Sequence, residues 1–199
     1  MRQNSPLHPS ILGIIVVLMS CLQGCWLNIP DEIQPVSNFD LHRYMGRWYE
    51  IARLNHRFER GIQQVTAIYS LQKDETVRVD HVGFDRTGKR KVLVGKAKLV
   101  SDKQIGHLKI AFIKFSLIGH IYGSYVVFHL EPDYSVAMVC GESRDYCLIL
   151  ARKPVLEKKE LAKYLKIAQE NGFEVDKFIY PSPILVTTPL PDWAAPLAN

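Results

Sequence analysis

The sequence contains no Gly-x-Ser-x-Gly elbow, no His-Glu-x-x-His pair and no glycine-rich phosphate loop, so the usual signatures of serine hydrolysis, zinc proteolysis and nucleotide binding are missing. Cysteine is sparse, with four in 199 residues, and the seven histidines show no ligand spacing with them. That pattern argues against a metal centre and calls for no cofactor. Basic charge is present but scattered: at a net charge of +5 the one short run is Lys89-Arg90-Lys91, and the aromatics do not interleave with the basic residues. Nucleic acid is therefore not an expected partner. Nor is any apolar run long enough to span a bilayer comfortably.

What the sequence does hold begins at its N-terminus. Ile11 to Leu22 is an apolar run of the length of a signal-peptide core, so residues 1–24 are read as a signal peptide and set aside from the fold. The run ends in Leu22-Gln23-Gly24-Cys25, which resembles the lipobox of bacterial lipoproteins, where the cysteine is lipidated and becomes the first residue of the mature chain. Cys25 is the expected lipidation site. Leu18-Met19-Ser20-Cys21 is a rival match, and a plain signal peptide or an uncleaved anchor is the alternative. An anchor of two or more acyl chains, at roughly 0.8 kcal/mol per buried CH₂, makes attachment durable where a single chain does not. Residues 25–38, with Pro30 and Pro35 and no periodicity, read as the lipidated N-terminus and a tether.

Beyond the tether, 47% hydrophobic and 23% charged residues suit one ordinary core. Residues 39–46 read as a short helical turn capped by Asp40. Strand-like runs follow at about 47–54, 64–72, 76–84, 90–100, 107–113, 122–130, 135–141 and 145–152, separated by turn residues such as Lys73-Asp74 and Thr87-Gly88. Glu157 to Asn171 then sets Leu161, Leu165 and Ala168 on one stripe beside Tyr164, with Gly172 at the stop. Residues 173–180 add a last short strand, and the proline-rich residues 181–199 read as a tail.

Eight sequential antiparallel strands abolish their edges by closing. The expected fold is all-β: an eight-stranded antiparallel up-and-down β-barrel over residues 39–180, with one C-terminal α-helix packed outside. A membrane-spanning barrel is disfavoured by the fourth strand, where Arg90, Lys96 and Lys98 share one face; basic side chains facing lipid cost roughly 2–4 kcal/mol each near the midplane.

Gly46-Arg47-Trp48 at the first strand, Pro132-Asp133-Tyr134 before the seventh and Arg152 after the eighth resemble the three short conserved regions of lipocalins. The stretches "GRWYEIARLNHRFERG" and "MVCGESRDYCLILARKP" resemble the bacterial outer-membrane members of that family, relatives of apolipoprotein D. The resemblance implies structural roles for Gly46, Trp48, Asp133, Tyr134 and Arg152, with Arg152 stacked on a floor made by Trp48. It also implies a lipid-anchored, periplasm-facing place in the outer membrane, and a homodimer is an assembly that relatives in this group can form.

If Arg152 points inward, strand parity sends Tyr146, Leu148 and Leu150 inward too, and Cys147 and Ile149 outward. Cys140 then faces Cys147 on an outer apolar patch suited to the helix. The two are read as a disulfide, as buried thiols or as reactive thiols. The lumen is expected to present Trp48, Glu50, Ala52, Val139, Tyr146, Leu148 and Leu150, unless a bulge shifts the phase of the first strand. That lining suits an acyl chain, and the resemblance implies a fatty acid or lysophospholipid as ligand, stored or transported for membrane maintenance. Arg57 and Arg60 stand ready for its head group, or else pair with local acids on a solvated loop. The alternatives are a lipid-modifying enzyme built on the barrel and a structural envelope lipoprotein without ligand; no residue is singled out as catalytic.

Overall fold

Apolar side chains at every second position, punctuated by turn residues, become strands in simple meander order. The computed structural model describes residues 27–54, 60–100, 104–112 and 123–181. A single helical turn, α1 (Leu41–Tyr44), starts at Asp40, whose carboxylate accepts the backbone N–H groups of His42 and Arg43. There follow β1 (Gly46–Leu54), β2 (Gln63–Leu71), β3 (Val77–Phe84), β4 (Arg90–Leu99), β5 (His107–Phe112), β6 (Gly123–Leu130), β7 (Val136–Cys140) and β8 (Cys147–Ala151). Each strand pairs antiparallel with the one before it, and β1 pairs with β8 to close the barrel. The eight strands and the helix lie within about two residues of their expected positions.

The chain leaves β8 into α2 (Lys158–Glu170), which opens on a reciprocal capping box between Glu157 and Glu160. It stops at Gly172, with φ +79°, where the Phe173 N–H returns to the carbonyl of Ala168 at 3.1 Å and the Gly172 N–H to that of Gln169 at 3.0 Å. This left-handed stop satisfies two orphan carbonyls and folds Phe173 back beneath the helix. A 3₁₀ turn, Val175–Lys177, then delivers the two-residue β9 (Phe178–Ile179) to Arg53 and Leu54 at the end of β1.

Alternation divides the apolar residues into two clusters, one on each face of the sheet. Inside lie Trp48, Tyr69, Val77, Val79, Leu108, Tyr125, Val127, Val139, Leu148 and Leu150. Outside, Val136, Met138, Cys140, Cys147 and Ile149 meet Tyr164, Ala168 and Phe173 of the helical segment. On β4, Ala97 and Leu99 belong to the inner cluster, so Lys96 and Lys98 face out.

The two ends of the barrel differ. Helix α1 and the turns after β2 and β6 gather at the closed end, while the hairpin turns after β3 and β7 rise at the other. Residues 27–38, read from their prolines as a tether, lie along the wall between these ends. Asp31 meets the open-end hairpin, its carbonyl accepting from Nη2 of Arg144 at 2.6 Å. Ile33 is buried in the outer cluster, and Val36 exchanges backbone bonds of 2.9 Å each with Val127 and Gly106. Phe39 reaches the closed end, donating to the carbonyl of Gln104 at 2.8 Å.

Candidate functional site: a barrel floor and a lined lumen

The closed end is built around Arg152. Its guanidinium carbon sits 3.9 Å from the centre of the Trp48 ring. Its nitrogens donate to the carbonyls of Arg47 at 2.7 Å, Arg43 at 2.8 Å and Tyr44 at 3.2 Å. Two of those carbonyls belong to the last residues of α1, where a helix leaves acceptors unpaired and favours a cation. Trp48, with no exposed surface, donates its indole N–H to the Tyr44 carbonyl at 2.8 Å. Gly46 has φ +92°, and a Cβ there would stand 3.4 Å from Nη1 of Arg152. The left-handed backbone therefore calls for glycine, while a Cβ would make no more than ordinary contact with the arginine.

Asp133 and Tyr134 complete this end from the β6–β7 turn. Asp133 accepts the Ser135 N–H at 3.0 Å, and that serine holds its carboxyl below the usual range. Tyr134, at φ +61°, accepts the Asp40 N–H on its hydroxyl at 2.8 Å and lies under the Arg43 guanidinium, 4.0 Å from the ring centre. The five motif residues thus converge on α1 from three distant segments.

Above the floor, three tyrosines that the sequence reading did not single out join by their hydroxyls: Tyr44 to Tyr125 and Tyr125 to Tyr69, each at 2.8 Å. Burial pushes the Tyr125 phenol well above its ordinary pKa. The chain is neutral, and its hydroxyls satisfy one another in an otherwise apolar space. The signal was present in the alternating pattern of β2 and β6, which places Tyr69 and Tyr125 inward.

Val139, Leu148, Leu150, Trp48 and Tyr146 stand in the inner cluster as expected, but Ala52 does not. The β1–β8 register runs Glu50 to Leu150 and then Ala52 to Ile149, so Ile51 is an extra residue in the ladder. This bulge reverses the phase. Ala52 joins the outer cluster, and Arg53, opposite Leu148, turns inward instead. Arg53 is only 1% exposed and forms an ion pair with Glu50, itself 2% exposed; its Nη2 also donates to the Ile62 carbonyl at 2.8 Å. A luminal ion pair thus replaces the expected alanine. Arg60 is exposed at the start of the chain leading into β2. Arg57 and Cys25 lie outside the described residues.

Cys140 and Cys147 are direct cross-strand partners and free thiols, both buried in the outer cluster. Burial pushes the Cys140 thiol up to about 12 and raises that of Cys147 as well. Such thiols are inert at neutral pH, because the thiolate is the nucleophile.

A family model described as a lipocalin-like domain matches residues 39–183, the same span that forms the barrel, its floor and its helix. The chain is a lipocalin. Among its relatives, outer membrane lipoprotein Blc of Vibrio cholerae is 40% identical over 170 residues, covering 84% of this chain and 96% of that one. The protein of the same name from Escherichia coli K12 is 42% identical over 153 residues, covering 76% and 83%. Temperature-induced lipocalin-1 of Arabidopsis thaliana is 33% identical over 151 residues, covering 73% and 80%. Of the solved structures, insecticyanin from the tobacco hornworm Manduca sexta overlays with a TM-score of 0.62 at 20% identity, over 85% of this chain and 90% of that one. That last likeness concerns the fold alone. Among its described residues this lipocalin combines a floor closed by Trp48 and Arg152, an apolar inner wall and the buried pair of Glu50 and Arg53.

Proposed function

We propose that this lipocalin takes up the acyl chain of a fatty acid or lysophospholipid in its barrel and stores or carries it at the outer membrane, to which lipidated Cys25 tethers it. The observation that carries the reading is the apolar luminal cluster from Trp48 through Leu150 and Leu148 to Val139. Burying about five CH₂ groups there, at roughly 0.8 kcal/mol each, is worth about 4 kcal/mol, close to a thousandfold in affinity before ordering losses. The relatives named as outer membrane lipoproteins support the location. Arg60, with Arg57 three residues before it in the sequence, suits the anionic head, and the Glu50 and Arg53 pair gives the lumen a polar point for the same group.

Native mass spectrometry of the purified chain, followed by incubation with labelled lysophospholipid, tests the reading. One lipid bound per barrel and recovered unchanged is the expected result. Conversion of the lipid overturns binding in favour of catalysis, and a barrel that neither co-purifies with nor takes up lipid is a structural lipoprotein.

A further inference from the structure

The N-terminal segment of the barrel has a direction, and that direction fixes where an anchor on Cys25 pulls. Asp31 is held at the open-end hairpin between β7 and β8 by Arg144, which also donates through Nε to the Asn171 carbonyl at 2.9 Å. From there the chain descends past Ile33 and Val36 to Phe39 at the closed end. Cys25 precedes Asp31 by six residues. At full extension that is about 20 Å of chain, less than the run of a long strand and its turns. The anchor is therefore leashed to the rim of the mouth and not to the floor.

Charge is polarised the same way. The open-end β3–β4 hairpin exposes Arg86, Lys89, Arg90 and Lys91 around a single acid, Asp85, which pairs with Lys91 at 3.2 Å. Arg60 adds a cation on the neighbouring loop, close enough that a Cβ on the adjacent Gly61 would lie 4.0 Å from Nε of Arg86. The β7–β8 hairpin contributes Glu142, Arg144 and Asp145, of which Glu142 accepts the Ser124 N–H and Arg144 is held as above. At the closed end acids and bases are balanced: Asp40, Asp74, Glu75 and Asp133 are exposed beside Arg43, Lys73, Lys98 and Lys153, and Asp74 pairs with Lys96 at 2.9 Å. A basic mouth over a floor of balanced charge orients the barrel in the field of an anionic surface.

We infer that the open end of this lipocalin docks face-on against the anionic phospholipid surface that holds its anchor, so that ligand exchanges between bilayer and lumen without a passage through bulk water. The inference rests on the reading that Cys25 is lipidated and that the barrel takes an acyl ligand. The lipid leash and the basic rim act together, as a chain plus a cationic patch do elsewhere at membranes.

The test uses the full lipidated chain in vesicles of phosphatidylethanolamine with a minority of phosphatidylglycerol. A fluorophore is placed on Thr87→Cys at the open end or on Lys73→Cys at the closed end, and quenching by head-group-labelled lipid is read. Quenching several-fold stronger at Thr87 is the expected result. Equal or reversed quenching overturns the inference, the reversed case turning to the bilayer the closed-end groove of about 610 Å³ walled by Phe39, Leu71 and Leu99. Arg86→Glu with Lys89→Glu should weaken Thr87 quenching on vesicles containing phosphatidylglycerol and leave it unchanged on phosphatidylcholine alone. Each basic residue is worth roughly fivefold in partition. Unchanged quenching on both vesicles removes the electrostatic half of the inference. The mass of Cys25 is read in parallel: a chain without lipid there removes the anchoring reading and this inference with it, whereas a lipidated chain that leaves Thr87 unquenched removes only the docking.

Discussion

Arg152 and Trp48, 104 residues apart in the chain, stack at 3.9 Å while the same guanidinium clamps the last carbonyls of α1. The contact joins the first and last thirds of the barrel at its floor. Arg152→Ala should lower unfolding stability by about 3 kcal/mol, combining a desolvated cation–π contact with charge-assisted bonds to carbonyls. Arg152→Lys should recover less than half of it, because a point charge cannot fork to several acceptors while lying flat on an indole. Urea unfolding gives both numbers; a lysine variant as stable as the parent would show that the fork is irrelevant.

Gly46 makes the second prediction. At φ +92°, Gly46→Ala strains the backbone, and a loss of about 1–3 kcal/mol is expected. The strand around it should survive, so far-ultraviolet circular dichroism stays constant while the thermal midpoint falls. An unchanged midpoint would mean that the turn before β1 relaxes freely.

The buried pair of Glu50 and Arg53 predicts a pattern that a surface pair would not produce. Removing one partner strands a charge inside the barrel, so Glu50→Leu or Arg53→Met alone should cost about 3–5 kcal/mol. The combined variant should fall within about 1 kcal/mol of the parent. If the pair also receives the ligand's head, the combined variant loses affinity for lysophospholipid and keeps it for an uncharged monoacylglycerol. Additive losses in the two single variants would mean that the two side chains act independently.

The thiols of Cys140 and Cys147 predict alkaline behaviour. Their pKa values are raised in the folded state, so above the ordinary thiol range the unfolded chain releases protons that the folded chain retains. Stability is therefore fully present below pH 9 and declines from there toward pH 12, at about 1.4 kcal/mol per pH unit for each thiol. Replacing both by alanine should flatten the decline relative to the parent, as read by denaturant midpoints across that range. Native protein at pH 8 should also resist iodoacetamide, and fast alkylation would contradict the burial.

The strand order and the two faces were readable from sequence because period-two alternation and turn residues are local signals. Arg152 and the parity it imposes on Leu148, Leu150 and Cys147 needed only one inward residue to set the phase. Ala52 was misplaced because a bulge is set by the partner strand: nothing in "YEIARL" distinguishes a regular ladder from one with Ile51 extruded. Arg53 was missed for the same reason, since an arginine near a strand end reads as solvent-facing until the phase is reversed. The packing of Ile33 and Val36 along the wall was hidden as well, because extended chain between prolines carries no periodicity to betray what it touches.

The divided pairing of β1 has a consequence for how the chain is made. Its early residues pair with β2, its middle with β8 and its last two with β9, which lies about 125 residues downstream. Every other strand finds its neighbour as a hairpin soon after it emerges. The first strand to be delivered must wait for the last, with one flank bare throughout, and non-local closure of this kind is slow. During export the time of greatest exposure to misassembly is thus the interval before β8 arrives, and any factor that shields β1 in that interval governs the yield of sealed barrels.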